Sequence, residues 1–449
     1  MPINADRRHF LRVAGGATAS AFAALAASGC MRAPLSGASA AAPVYGPLVA
    51  DPAGLIDLPA GFSYRILSSL GDAMSDGFTV PDRADGMGCF DLGGGKLALV
   101  RNHELQPQHD GAGVAGQAYD TIARSQIPLP GGTTTLVLDA ATLAVERQYR
   151  SLAGTIRNCA GGTTPWGSWL SCEENTDRAG GRLNKDHGWV FEVPATAPGL
   201  VDPVPLTAMG RFNHEAICID PATGIAYLTE DRDDSLLYRF VPAVPGRLAE
   251  GGRLQALVLA DGIADTRNWD AVTVPRESWH PARWIDLDDV AAPRDDLRQR
   301  GAAQGAALFA RGEGIHMGNG ELYFCCTSGG AARLGQVFRL RPGPGGSGAA
   351  GRPDQLQLFF ESTDPDQFNY GDNLTVAPNG HLVVCEDQYT ATVANHLRGI
   401  TPDGAAYPLA LLREQTEWAG ACFSPDGRTL FVNIYSPTRT VAITGPWLA

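Results

Sequence analysis

Apolar and polar positions alternate along most of this chain in short runs that stop at glycine, and one arrangement of such runs recurs. An acidic or small polar residue opens an apolar-alternating run, a glycine turn follows, and a second run ends in an acid or amide. The clearest copies run from Asn213 to Asp231, turning at Gly224, and from Asp372 to Asp387, turning at Asn379-Gly380. Others open at Asp85-Gly86 and end at Asn102-His103-Glu104, or open at Asn158-Cys159 and end at Cys172-Glu173-Glu174. The last two open at Gly312-Glu313, turning at Asn319-Gly320, and at Ala419-Gly420, turning at Asp426-Gly427. Period-two alternation marks half-buried strands, and Asn-Gly or Asp-Gly between two of them is the strongest short hairpin signal. Further strands fall between the copies, among them residues 135–138, 189–193, 236–240 and 336–340. Radial repetition of small antiparallel sheets is a β-propeller. The expected fold is therefore all-β, a six-bladed β-propeller. Residues 105–133 and the stretch between Asp231 and Glu313, which holds Trp269, Trp279 and Trp284, are expected to be inserted loops covering one face.

The N-terminus follows a different pattern. Arg7-Arg8, then Phe10-Leu11 and a weakly apolar run over 13–27, read as a twin-arginine export signal; the run is too short and alanine-rich for a membrane span. Ala27-Ser28-Gly29-Cys30 resembles a lipoprotein cleavage box, which would make Cys30 a lipid-anchored N-terminus; cleavage near Ala38 to Ala42 is the alternative. The expected organisation is residues 1–30 as signal, 31–47 as a flexible linker and 48–449 as one propeller domain. The expected setting is the periplasm or cell surface, with the twin-arginine machinery as export partner and a monomer as product.

Composition narrows the chemistry. A net charge of −13 argues against nucleic acid, which needs a basic face. In a propeller the strand ends of successive blades meet around the axis. The acids at Asp85, Glu104, Glu173, Glu215, Glu230 or Asp231, Glu313, Asp372, and Glu386 or Asp387 would then converge and repel. Calcium, which takes six to eight oxygen ligands, relieves that repulsion; capping of turns by solvated acids is the alternative. Cys159 lies at a turn and is open to two readings, a packed thiol or a soft ligand that favours a transition metal. Cys172, Cys218, Cys325, Cys326, Cys385 and Cys422 lie in apolar runs and read as core. Arg311 is suited either to binding phosphate oxygens or to a surface ion pair. No Gly-x-Ser-x-Gly elbow, phosphate-cradling Gly-rich loop with lysine, or His-Glu-x-x-His is present.

Several of these stretches together resemble a known family. Asn102-His103-Glu104, the run from Asn158 to Asn175, Gly210 to Glu215, Arg311-Gly312-Glu313-Gly314 and Asp372-Asn373 are similar to the PhoX alkaline phosphatases. The resemblance implies a six-bladed propeller that binds two ferric ions and three calcium ions and hydrolyses phosphate esters by metal-assisted attack. It implies that Cys159 ligates iron, that Glu215 and Glu313 ligate metal, and that Arg311 contacts the phosphate; Arg311 and Asn102 are the candidate catalytic residues. Asn102, Glu104, Glu173, Asp372 and Glu386 fall to metal or substrate shells, and Asp231 is a further candidate metal ligand from its place in the repeat. Position 312 is glycine where the family usually has proline. The family's phosphate-contacting lysine has no counterpart, and Arg150 and Arg157 are the nearest cations. Two other readings stand beside this one: a calcium-dependent propeller lactonase or arylesterase, and a non-enzymatic binding propeller.

Overall fold

The alternating runs become antiparallel meanders, each beginning with a strand that faces the centre of the molecule. A computed structural model describes residues 44–111, 113, 116–344, 352–388 and 394–447. The proposed signal and most of the proposed linker lie outside the described residues. The six inner strands are β1 (Ala84–Gly93), β2 (Asn158–Thr163), β3 (His214–Ile219), β4 (Gly312–Gly318), β5 (Gly371–Val376) and β6 (Trp418–Phe423). Each touches the next, and β6 touches β1, so they form a closed ring. Each pairs antiparallel with the strand that follows it across its turn.

The sheets built on these strands differ from six like blades. The β1 sheet has four strands, and the β2 sheet has three. The third and fourth meanders are joined at their outer edges. Trp279–Asp286 pairs with Gly252–Leu259 on one side and Asp354–Glu361 on the other, giving one nine-stranded sheet. The β5 sheet reaches six strands by adding Ile56–Pro59 and Leu48–Val49. The β6 sheet is completed by Ser63–Ser69, which pairs with Arg439–Thr444, so the two ends of the chain close the ring. The architecture is all-β and propeller-like, and six separate, equivalent blades are not what the pairing shows. The tryptophan-rich stretch expected over one face supplies the joining strand instead. There Trp279 stacks on Arg339 and Arg341 and Trp284 on Arg239. One short α-helix, Leu297–Ala303, occurs among the described residues.

The core lies between neighbouring sheets. Phe212, Ile217, Tyr238 and Phe240 fill one interface, and Tyr227, Phe309, Phe324 and Phe338 the next. Burial of each such side chain contributes roughly 1.5–3 kcal/mol. Cys172, Cys218, Cys325, Cys326 and Cys385 are buried and unpaired within these clusters, as expected of small apolar side chains. Tyr45, within the stretch read as linker, packs edge-on against Phe62, Tyr407 and Trp447.

Candidate metal centre

All six inner strands carry the same irregularity. The pairing slips between the first and fourth residues of β1, β2, β3, β4 and β5, and between Ala419 and Cys422 in β6. A bulge bends its strand and re-aims a side chain, and bulges gather at barrel rims and active sites. The second residue of each strand lies in this slip in the first five strands: Asp85, Cys159, Glu215, Glu313 and Asp372. The sixth strand has Ala419 there. The next position is small in five strands: Gly86, Ala160, Ala216, Gly314 and Gly420. A Cβ on Gly314 would stand 2.6 Å from the Asn373 Cα, and one on Gly86 2.5 Å from the Ala160 Cα. Glycine is what allows these backbones to approach so closely.

The side chains meet. Cys159 Sγ lies 3.4 Å from Asp85 Oδ2 and 3.3 Å from Glu215 Oε1. Ligand atoms of Glu215, Glu313 and Asp372 lie within 4.8 Å of one another, and those of Glu104, Cys159 and Glu174 do the same. Both groups are buried, apart from the partly exposed Glu104. Beyond these acids the channel opens into a cavity of about 320 Å³ lined by small and apolar residues, among them Gly86, Met87, Ala216, Ile217, Ile315 and Leu374. The centre is thus polar at the strand starts and apolar behind.

Two guanidinium groups enter it. Arg157 Nη2 donates to Glu104 Oε1 at 2.7 Å and also holds Glu174. Arg311 Nε donates to Asp231 Oδ1 at 2.7 Å and its Nη2 to Glu313 Oε1 at 2.9 Å. Arg150 lies elsewhere, stacked over Phe78. Negative charge outweighs these cations. Burial, reinforced by the neighbouring acids, pushes the carboxyls of Asp85, Glu215 and Glu313 well above the carboxylate range and the Cys159 thiol up with them. Burial and nearby Asp387 push Asp372 up to about 7.

The second strand of each meander determines which acids take part. The residues paired with the inner-strand starts, Glu173, Glu230 and Glu386, turn back into their own sheets. Glu173 accepts from Ile156 N and Gly188 N at 2.9 Å and from His187 Nδ1 at 2.6 Å. Glu386 accepts from Arg398 Nε at 2.7 Å and from His396 N at 2.8 Å. Glu230 accepts from the Tyr238 hydroxyl at 2.7 Å. The structure therefore does not bring Glu173 and Glu386 to the centre; the residues after Glu173 and Glu230, Glu174 and Asp231, serve there instead. Glu174 was missed in the sequence, although it adjoins the expected position.

Asn102 is also displaced from its expected place at the reacting group. Its Nδ2 donates to the Cys159 and Ala160 carbonyls at 3.0 and 2.7 Å. Its Oδ1 accepts from Trp169 Nε1 at 2.9 Å and Ser171 Oγ at 2.8 Å. Every donor and acceptor of that amide is used. Asn102 is a strut that fixes the Cys159 backbone.

The donor set fits bound cations. Asp85 Oδ1 and Glu215 Oε2 are buried and have no hydrogen-bond partner. A buried acceptor without a partner costs about 1–3 kcal/mol, more when charged, and a cation is what such oxygens lack. Crowded carboxylates suit hard ions, and the one thiol suits a softer metal.

The profile of the family described as Alkaline phosphatase PhoX matches residues 44–142 and 139–438, a span that contains every side chain of the centre. The chain belongs to the PhoX alkaline phosphatase family. This makes it a metal-dependent phosphatase. A solved structure of Pseudomonas fluorescens PhoX, in complex with vanadate as a transition state analogue, shares the fold. It is 19% identical and superposes with a TM-score of 0.68, covering 89% of this chain and 97% of that one. A gluconolactonase from Xanthomonas campestris, XC5397, is 15% identical with a TM-score of 0.37, covering 89% and 98%. No curated protein matches the chain.

Proposed function

We propose that this PhoX-family protein is an exported phosphomonoesterase whose calcium and iron ions are held by the ring of strand-start acids and Cys159. The observation that carries this is the crowding of Glu215, Glu313 and Asp372 within 4.8 Å of one another, buried, beside a thiol. The scaffold is read as a six-bladed propeller, supported by the closed ring of six inner strands with one bulge pattern. Export by the twin-arginine route to the periplasm or cell surface, with Cys30 as a lipid anchor, rests on the N-terminal pattern alone.

Glu215, Glu313 and Asp372 would hold calcium; Cys159, Glu104 and Glu174 would take the softer iron. When bound, these ions neutralise phosphoryl oxygens and activate the attacking water. The chain's own residues do the rest. Asp231 and Glu313 hold the Arg311 guanidinium from two sides, fixing it where charge grows on the transferring phosphoryl group. Asn102 fixes the Cys159 backbone, so the thiol is positioned before any ligand arrives. Phosphoryl transfer asks mainly for such positioning and charge stabilisation.

The test is metal analysis of the exported protein together with hydrolysis of p-nitrophenyl phosphate before and after calcium chelation. Bound calcium and iron, with turnover that disappears on chelation and returns with calcium, is the expected result. A metal-free protein, or turnover indifferent to chelation, would overturn the assignment. Full activity in Cys159→Ser would favour a propeller hydrolase of another ester class, which has no use for a thiol.

A further inference from the structure

The residue immediately before an inner strand is arginine in three of the six: Arg83 before β1, Arg157 before β2 and Arg311 before β4. All three have left-handed backbone, with φ of 57°, 49° and 57°, and Tyr370 before β5 shares it at 54°. Such a conformation costs on the order of 1 kcal/mol or more for a residue with a side chain, and it persists only where the surroundings enforce it. The repeat therefore enforces the bend, and in three places it sets a guanidinium at the rim of the centre.

Two of these arginines are committed to acids, as described above. Arg83 is different. Its Nη1 donates to the Tyr435 hydroxyl at 2.9 Å, and its guanidinium lies 5.4 Å from the centre of that ring. Among the described residues no carboxylate forms an ion pair with it. The Tyr435 hydroxyl in turn holds Glu104, and the Glu104 amide donates to the Arg83 carbonyl at 2.9 Å. The Arg83 head thus stands one phenol away from the Glu104–Cys159–Glu174 group. It is half-buried, with one of five donors engaged within the described chain.

We infer that Arg83 is a second phosphate-binding arginine, gripping the substrate's phosphate oxygens from the Cys159 side while Arg311 does so from the Glu313 side. Tyr435 is its positioning residue. A planar guanidinium with free donors suits a phosphate dianion and can bind it through two hydrogen bonds. The inference rests on the phosphatase reading given above.

The experiment uses the metal-loaded protein and measures KM and kcat for p-nitrophenyl phosphate, binding of inorganic phosphate, metal content and melting temperature. Arg83→Met is expected to weaken phosphate binding and raise KM by about 10- to 100-fold, the loss of one charge-assisted contact or two. The effect on kcat should be smaller, and metal content and melting temperature should hold. Arg83→Lys should recover part of the loss, and Tyr435→Phe should cause a smaller rise in KM. Phosphate binding within twofold of the parent in Arg83→Met, or loss of metal from that variant, overturns the assignment. If the parent binds phosphate through Arg83 but hydrolyses no phosphate ester, the phosphatase reading fails and the anion site stands. If the parent turns over and Arg83→Met is unaffected, only the Arg83 assignment falls. A parent that binds no phosphate removes the Arg83 assignment, and one that also hydrolyses no phosphate ester removes both.

Discussion

Replacing Glu215 by glutamine should stabilise the protein without its cations and destabilise it with them. Glu215 lies within 4.8 Å of both Glu313 and Asp372. Two unit charges at that separation repel by about 3.5 kcal/mol at an effective dielectric of about 20. Protonation lowers the total, because burial and the neighbouring acids Asp372, Glu174 and Asp231 favour the neutral form of Glu215 itself. Removing the Glu215 charge should therefore return up to about 3.5 kcal/mol to the cation-free protein at pH 8. With unfolding entropy near 2.1 cal/mol/K per residue over about 400 residues, that is a rise of up to roughly 4 °C in melting temperature. The pH dependence has a definite sign. Asp372 binds its proton more tightly folded than unfolded, so its contribution is intact below about pH 4 and is lost as pH climbs through about 7, and the raised carboxyls of Asp85, Glu215 and Glu313 act in the same direction. The gain from Glu215→Gln should accordingly shrink when the chelated protein is melted at pH 5. In calcium the same substitution removes a ligand oxygen's charge, and the melting temperature should fall below that of the parent. Scanning calorimetry of both proteins, chelated and calcium-loaded, at pH 5 and 8 gives all four comparisons. A chelated Glu215→Gln that melts no higher than the parent at pH 8 would refute the crowding argument.

Other outcomes follow from the same geometry. Cys159→Ser should lower iron content and abolish any visible iron–thiolate absorption, read by metal analysis and spectroscopy, while the calcium content set by Glu215, Glu313 and Asp372 is retained. Glu173→Gln should lower stability by about 1–3 kcal/mol, because an amide cannot accept at both ends from Ile156 N, His187 Nδ1 and Gly188 N. It should leave metal content unchanged, since Glu173 stands outside the centre. Gly314→Ala places a methyl 2.6 Å from the Asn373 Cα. It should reduce both melting temperature and metal content, because β4 and β5 must part.

The hairpins were legible because two-residue periodicity and Asn-Gly or Asp-Gly turns are local signals. The convergence of Asp85, Glu215, Glu313 and Asp372 could be read from their common place in the repeat. What failed was the register at the far strand ends. Glu173 and Glu386 occupy the strand's last position and turn into the sheet, and one residue later the side chain faces the other way. The bulge that governs this is a property of backbone pairing between strands, and nothing at Asp85 or Cys159 announces it. Asn102 was misplaced for a related reason: its partners, Cys159, Ala160, Trp169 and Ser171, come from the neighbouring sheet. The strand Trp279–Asp286 looked like a loop because its aromatic and arginine side chains serve an outer edge, without a clean polar and apolar alternation. Of the rim arginines, Arg83 alone escaped notice, because a left-handed φ at arginine has no sequence signature.

The pairing of Ser63–Ser69 with Arg439–Thr444 sets a limit on how this molecule can be divided. The charged side chains of the centre are drawn from β1 to β5 and from the segments following their partner strands, so no fragment that stops short of β5 contains a complete set of them. A chain shortened by its last ten residues would lose the strand that seals the disc and leave two raw strand edges, which invite association with other chains. Ion binding, turnover and solubility should therefore vanish together when either Ser63–Ser69 or Arg439–Thr444 is removed, and a split protein should regain all three only when its halves are reunited.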